Sequence, residues 1–277
     1  MLKESARPLK EFSIEVLEKV DKVIALGARL KDCGNVLTLG VYPNFSDYTP
    51  EQKALIQTAD KIYYPSQLYA ELLASMNKPI FPSVHNYTCA QDKIKQSVLF
   101  NLLNIPHPRT RVFYGKRQKS KITKHFSFPF VAKVPRGSAM GNGVFLIENQ
   151  AALDNYLDRV TPAYIQEYLP VSSDIRIVVI GDKVAHAYRR IAASGEFRSN
   201  IARGAKVSLE KIPQAVLDLA LQTARSCQWN DVGLDICEYQ NRLYVLEGNM
   251  KYGKEGFRAA GIDYTALMEQ LIEKNEI

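Results

Sequence analysis

Three residues of the stretch 232–249, VGLDICEYQNRLYVLEGN, carry hard oxygen donors at a spacing that can gather them: Asp235, Glu247 and Asn249. The stretch reads as two β-runs joined by a polar turn. Residues two apart on a strand share a face, so Glu247 and Asn249 point the same way. A three-residue connection over 240–242 sets Asp235 opposite Glu247 and converges two carboxylates with an amide oxygen. A two-residue turn sets Leu246 opposite Asp235 and scatters them. Such a donor set suits Mg²⁺, which takes one or two carboxylates and shares its shell with phosphate oxygens. The alternative is a surface hairpin with ordinary polar residues.

A second stretch, 128–147, reads FPFVAKVPRGSAMGNGVFLI. Lys133 sits in an apolar strand, where an ammonium without a partner is costly. The strand runs into a Gly-rich turn whose backbone N–H groups can approach phosphate oxygens unobstructed. Lys133 would meet a phosphate as a point charge. Neither G-x-G-x-x-G nor G-x-x-x-x-G-K-[ST] occurs, so the usual dinucleotide and P-loop signals are missing. The four cysteines (Cys33, Cys89, Cys227, Cys237) form no C-x-x-C pair and the four histidines are scattered, which favours reduced thiols over a zinc or haem site.

These residues need elements to position them. Phe12, Val16, Val20, Val23 and Ile24 predict an amphipathic helix over 8–30. A strand over 35–42, a helix over 50–59, a strand over 62–65, a helix capped by Ser66 and a strand over 79–83 then read as a small parallel sheet. The helix following Cys89 is predicted to turn Ile94, Val98, Leu102 and Leu103 inward, with Lys93 and Lys95 outside that stripe. Further on, strands are expected over 163–169, 174–180 and 183–191, the last two joined by a Gly181-Asp182 turn. Helices are expected over 149–159, 213–228 and 261–275.

No apolar run approaches the roughly 20 residues that span a bilayer, and the first residues lack the apolar core of a signal peptide. The expected location is the cytoplasm, with no membrane partner. The net charge of +7 is local: 109–125 holds seven Lys/Arg and no acid, and without them 29 basic residues face 29 acidic ones. That distribution speaks against a general nucleic-acid binder. The segment reads as a solvated loop or strand edge, or as an attractor for a polyanion.

The order of motifs resembles the ATP-grasp superfamily and, within it, the RimK-like α-L-glutamate ligases. The resemblance covers about residue 88 to the end. It rests on Gln166-Glu167-Tyr168, on Asp174-Ile175-Arg176 with the Val-Val-Ile-Gly-Asp after it, on Gly195-Glu196-Phe197-Arg198-Ser199-Asn200 with Arg203-Gly204, and on Asp235 with Glu247-Gly248-Asn249. The implied fold is α/β, more closely an α+β ATP-grasp. A small N-terminal parallel α/β domain (1–88) precedes two α+β lobes (89–165 and 166–277) that grip ATP between antiparallel sheets.

The resemblance implies ATP and one or two Mg²⁺ ions, replaceable by Mn²⁺. Lys93 and Lys133 would contact phosphates under a lid containing Gly137, Gly141 and Gly143. Gln166, Glu167 and Tyr168 would border adenine, while Asp174, Arg198, Ser199 and Asn200 would contact the nucleotide. Arg190 and Arg203 would flank the γ-phosphate and the reacting carboxyl. Asp235, Glu247 and Asn249 would hold the metal. Strand alternation lets only one of Arg189 and Arg190 face the cleft, and Tyr188 and Tyr252 read as packing residues.

The implied reaction is ligation of a carboxylate to an amine through an acyl phosphate. Its substrates would be small molecules or peptides, such as glutamate with an amino acid, peptide or protein, and a homo-oligomer is compatible with it. A phosphotransferase on the same fold and a nucleotide-binding regulator without turnover are the alternatives. After Asn249 the family continues with small residues and Ser-Pro-Gly, whereas this chain reads Met250-Lys251-Tyr252-Gly253-Lys254. Glutamate transfer to a ribosomal protein is therefore not carried over.

Overall fold

The computed structural model describes residues 22–137, 143–193, 196 and 204–277. The chain divides into two compact units, Met1–Ile80 and Phe81–Ile277.

The first unit carries a sheet of β1 (Val23–Ala25), β2 (Val36–Thr38), β3 (Ile62–Tyr63) and β4 (Ile80–Phe81) in the order β2-β1-β3-β4, with β1 parallel to both its neighbours. α1 (Pro50–Thr58) starts at a capping box between Thr49 and Gln52, and the Ser66 hydroxyl caps α2 (Gln67–Ser75). The helix expected over 8–30 is corrected at its end. Val23 and Ile24 lie in β1, and residues 8–21 lie outside those described. A run of apolar residues such as 23–26 satisfies a helical stripe and a buried strand alike, and pairing on both sides decides for the strand.

The second unit opens with α3 (Val84–Cys89) and α4 (Lys93–Leu102). A four-stranded antiparallel sheet follows, made of β5 (Thr110–Phe113), β6 (Phe130–Lys133), β7 (Val144–Ile147) and β8 (Ala163–Glu167) in the order β5-β8-β6-β7. α5 (Gly115–Lys119), α6 (Ile122–His125) and α7 (Gln150–Arg159) accompany it, and Ile122, Phe126, Leu153 and Tyr156 pack in its core. The basic segment thus forms β5, α5 and α6. Lys116, Arg117, Lys121 and Lys124 are exposed, whereas Lys119 Nζ donates to the Val160 carbonyl (3.1 Å) and the Thr161 hydroxyl (2.9 Å).

The larger sheet contains β9 (Ser173–Ile180), β10 (Lys183–Ile191), β11 (Lys206–Ser208), β12 (Asp231–Tyr239) and β13 (Arg242–Asn249), in the order β11-β10-β9-β12-β13 and antiparallel throughout. Gly181, at φ +66°, makes the β9–β10 turn. α8 (Gln214–Ser226) packs Val216 and Ala220 with Ile175, Ile177, Leu234 and Ile236. Strand alternation sends Asp174, Arg176 and Asp235 to the opposite face. α9 (Glu255–Ala259) and α10 (Tyr264–Glu273) complete the chain.

Two sequence expectations change here. The β12–β13 turn has two residues, Gln240 and Asn241, both at positive φ, with Tyr239 paired to Arg242. That turn alone would set Leu246 opposite Asp235. A register shift between Asp235/Glu247 and Ile236/Val245 makes Leu246 the extra residue of a bulge and restores Glu247 opposite Asp235. In α4, the buried residues are Ile94, Gln96, Ser97 and Phe100, while Val98 and Leu102 are 51% and 74% exposed. The apolar stripe misplaces the helix because half of its buried residues, Gln96 and Ser97, are polar.

Candidate active site

Site residues come from one cross-strand row and two lysines facing it. Register places Tyr188, Arg176, Asp235 and Glu247 side by side across β10, β9, β12 and β13, with Arg190 opposite Asp174 and Asn249 opposite Gly233. Residues opposite one another in an antiparallel ladder share a face, so this row is a direct consequence of alternation and register.

Four of these groups form a buried ionic network. Asp174 accepts from Arg190 Nε and a terminal nitrogen at 2.6 Å each. Arg190 also reaches Asp235 Oδ2 at 3.0 Å, and Arg176 pairs with both Asp235 oxygens through Nε and Nη2. Asn249 Nδ2 donates to Asp235 Oδ2 at 3.1 Å. Two acids and two guanidiniums cancel in charge, and removing any one of them would leave a net charge buried in the network. Burial opposes ionisation of Asp235, but Arg176 and then Arg190 outweigh it and hold the carboxyl below its ordinary range. Burial dominates at Asp174 and pushes it up to about 6 against the pull of Arg190. Arg189, on the opposite face, pairs with Glu210.

The lysines face Glu247. Lys93 Nζ lies 3.9 Å from Glu247 Oε2, and Lys133 is buried in the same pocket, which Tyr164, Gln166 and Leu246 also line. Burial lowers the Lys133 pKa, Glu247 opposes that shift, and Lys93 adds to it. The base of the Gly-rich loop is tied to the start of α4. Lys93 N donates to Pro135 O (2.9 Å), Gly137 N to Gln91 O (3.3 Å), and Arg136 Nε to Asp92 Oδ2 (2.8 Å). Val134 N donates to Gly143 O (2.7 Å) across the loop's neck.

Gln166 donates to the Thr110 hydroxyl at 3.0 Å, and the Glu167 carboxylate accepts from Arg109 N at 2.6 Å. The Glu167 side chain is thus engaged by β5. Tyr168, next along the chain, is half-buried. Gly141, Arg198, Ser199, Asn200 and Arg203 lie outside the described residues. Tyr188 and Tyr252 are buried, and Tyr252 donates to Asp231 at 2.5 Å, which fixes the segment that departs from Ser-Pro-Gly. Sequence reading assigned no role to Arg176, although its period-2 spacing from Asp174 on a strand already places both on one face. It also passed over Gln96 and Asp92.

Glu247 offers a carboxylate to a hard divalent cation, whereas both Asp235 oxygens accept from Arg176 and Oδ2 also from Arg190 and Asn249, so Asp235 would join a metal shell only in exchange for one of these partners. Among the described residues no three His, Cys, Asp or Glu gather, so two carboxylates, one amide and incoming phosphate oxygens would have to complete a shell. The surrounding lysines and arginines suit those phosphates.

A family model described as the RimK-like ATP-grasp domain matches residues 90–273. The "Ribosomal protein bS6--L-glutamate ligase" of Salmonella paratyphi B is 33% identical over 213 residues, covering 74% of this chain and 70% of that protein. "Probable alpha-L-glutamate ligase" of Nitrosococcus oceani is 33% identical over 196 residues, 68% of this chain; the match spans 65% of that relative's length, just under two thirds. The RimK domain ATP-grasp protein of Sphaerobacter thermophilus superposes with a TM-score of 0.66 at 16% identity, over 90% of this chain and 98% of that one, and so shares its α+β ATP-grasp fold.

Proposed function

Because the chain belongs to the RimK-like ATP-grasp family, we propose that it is an ATP- and Mg²⁺-dependent carboxylate–amine ligase that forms an amide bond through an acyl phosphate. The observation that carries this reading is the buried Lys133 facing Glu247 beside Lys93, next to the Arg190–Asp174–Arg176–Asp235 network. Such a site positions and neutralises phosphates and supplies no protein nucleophile, which is what phosphoryl transfer requires. The two sheets of the second unit act as the gripping lobes.

Lys93 and Lys133 bind the nucleotide's phosphates and orient the γ-phosphoryl toward the substrate carboxylate. One carboxylate oxygen attacks phosphorus, ADP leaves, and an acyl phosphate forms. The amine then attacks the acyl carbon, loses a proton, and expels inorganic phosphate. Arg190, held by Asp174, offsets charge on the transferring phosphoryl, and Arg203 joins it. The loop over 136–143 excludes water from the acyl phosphate. Asp235, Glu247 and Asn249 would hold Mg²⁺, which when bound neutralises phosphate charge. The carboxylate donor is an amino acid such as glutamate, and the acceptor is an amino acid, peptide or protein.

Phosphate release is the test, with ATP, Mg²⁺, pooled amino acids and short peptides, products being read by mass spectrometry. ADP and phosphate should appear together with a new amide only when donor and amine are both present. A phosphorylated final product with no free phosphate would identify a phosphotransferase and overturn the ligase reading.

A further inference from the structure

Gln96 is a buried amide on α4, one helical turn after Lys93, and its side chain bonds both backbone groups of a single residue, Gly248. Its Nε2 donates to Gly248 O at 2.8 Å, and its Oε1 accepts from Gly248 N at 2.9 Å. Nε2 also donates to Cys89 O at 3.1 Å. Among the described residues β13 is an edge strand, so the outward N–H and C=O of Gly248 have no strand partner there, and the Gln96 amide takes that place. On its other side Gly248 lies against Trp229. A Cβ there would come within 2.7 Å of the indole ring.

Gly248 separates Glu247 from Asn249, so a clamp on its peptide fixes both flanking side chains. We propose that Gln96 is a positioning residue that sets Glu247 and Asn249 against Lys93 and so tunes cation affinity at this hairpin. The proposal rests on the metal-site reading above. Without the clamp, two buried backbone groups lose their partners, and the strand carrying two of the three oxygen donors is free to shift relative to α4. Partners of this outer-shell kind typically change metal affinity by about 10- to 100-fold when replaced.

The test is Gln96→Met, which keeps the length and removes both hydrogen bonds to Gly248 together with the one to Cys89 O, in the full chain. Mn²⁺ binding is followed by electron paramagnetic resonance at saturating ADP, beside wild type and Glu247→Gln. The expected result is a half-saturating Mn²⁺ concentration raised about tenfold or more. ADP binding without metal should be unchanged, and the Gly248 amide should exchange faster with solvent. Wild-type Mn²⁺ affinity in Gln96→Met, with weakened affinity in Glu247→Gln, would overturn the role of Gln96 alone. Wild-type affinity in both would remove the metal site and this proposal with it. Gln96→Asn, one methylene too short to reach both groups, is the second replacement. If neither variant folds, the clamp holds the fold rather than the site, and the proposal fails.

Discussion

Asp235 and Lys133 bear opposite charge and opposite stability signs. Asp235→Asn leaves Arg176 and Arg190 buried with one carboxylate between them, and should destabilise the protein by about 3–5 kcal/mol in denaturant unfolding. Because the Asp235 carboxyl is held below its ordinary range, its contribution is present above the unfolded pKa and is lost as pH falls through the folded one. The gap between wild type and Asp235→Asn should therefore narrow in acid. A gap independent of pH would show that the carboxylate does not neutralise the guanidiniums. Lys133 acts the other way. Its lowered pKa means that burial of the charge opposes folding below the folded pKa, and this cost is relieved as pH rises from there toward the unfolded value. Lys133→Met should leave the free protein at least as stable near neutral pH, while weakening ADP binding about tenfold or more by calorimetry, since a charge-assisted contact worth roughly 1.5–3 kcal/mol is lost. Strand alternation required that only one of Arg189 and Arg190 face inward, and the family resemblance, not the alternation, singled out Arg190, whose guanidinium lies buried against Asp174. Asp174 was legible as part of the site, but its commitment to Arg190 was not, because a cross-strand partner is invisible in one strand's sequence.

At the level of helices and hairpins, the polar sites were harder to read than the apolar ones. Helix α4 was found but its face was misjudged, since Val98 and Leu102 satisfied a stripe while Lys93 and Gln96 belong to the pocket. Apolar periodicity cannot locate a buried face on which polar residues such as Gln96 and Ser97 take half the positions. The hairpin was right for a different cause: the short turn disfavours the cluster and the bulge at Leu246 restores it. Asp92 shows how one residue serves two elements, capping α4 through Lys95 N at 3.0 Å and holding Arg136 at the loop's base. Asp92→Ala should lower stability by about 0.5–2 kcal/mol, the usual worth of such a cap, and an unchanged unfolding midpoint would remove Asp92 from that role. Gly248→Ala should lower it by about 1–3 kcal/mol through overpacking against Trp229, also read by denaturant unfolding.

Across the chain, the order of motifs identified the ATP-grasp fold more surely than any single element did, because each motif is short while their sequence is specific. The strand–helix–strand rhythm of the first unit was legible, yet its central strand β1 was hidden inside an apparent helix. The segment after Asn249 withholds the acceptor. Trp229, the only tryptophan, packs on the peptide between Glu247 and Asn249, so its emission should shift when ADP and Mg²⁺ bind. The most direct measurement follows oxygen from the carboxylate. Amino acids labelled with ¹⁸O in their carboxyl groups are turned over with ATP, Mg²⁺ and peptide acceptors, and the released phosphate is weighed. Acyl-phosphate ligation predicts one labelled oxygen in each phosphate released during amide formation. Unlabelled phosphate alongside a new amide would contradict it.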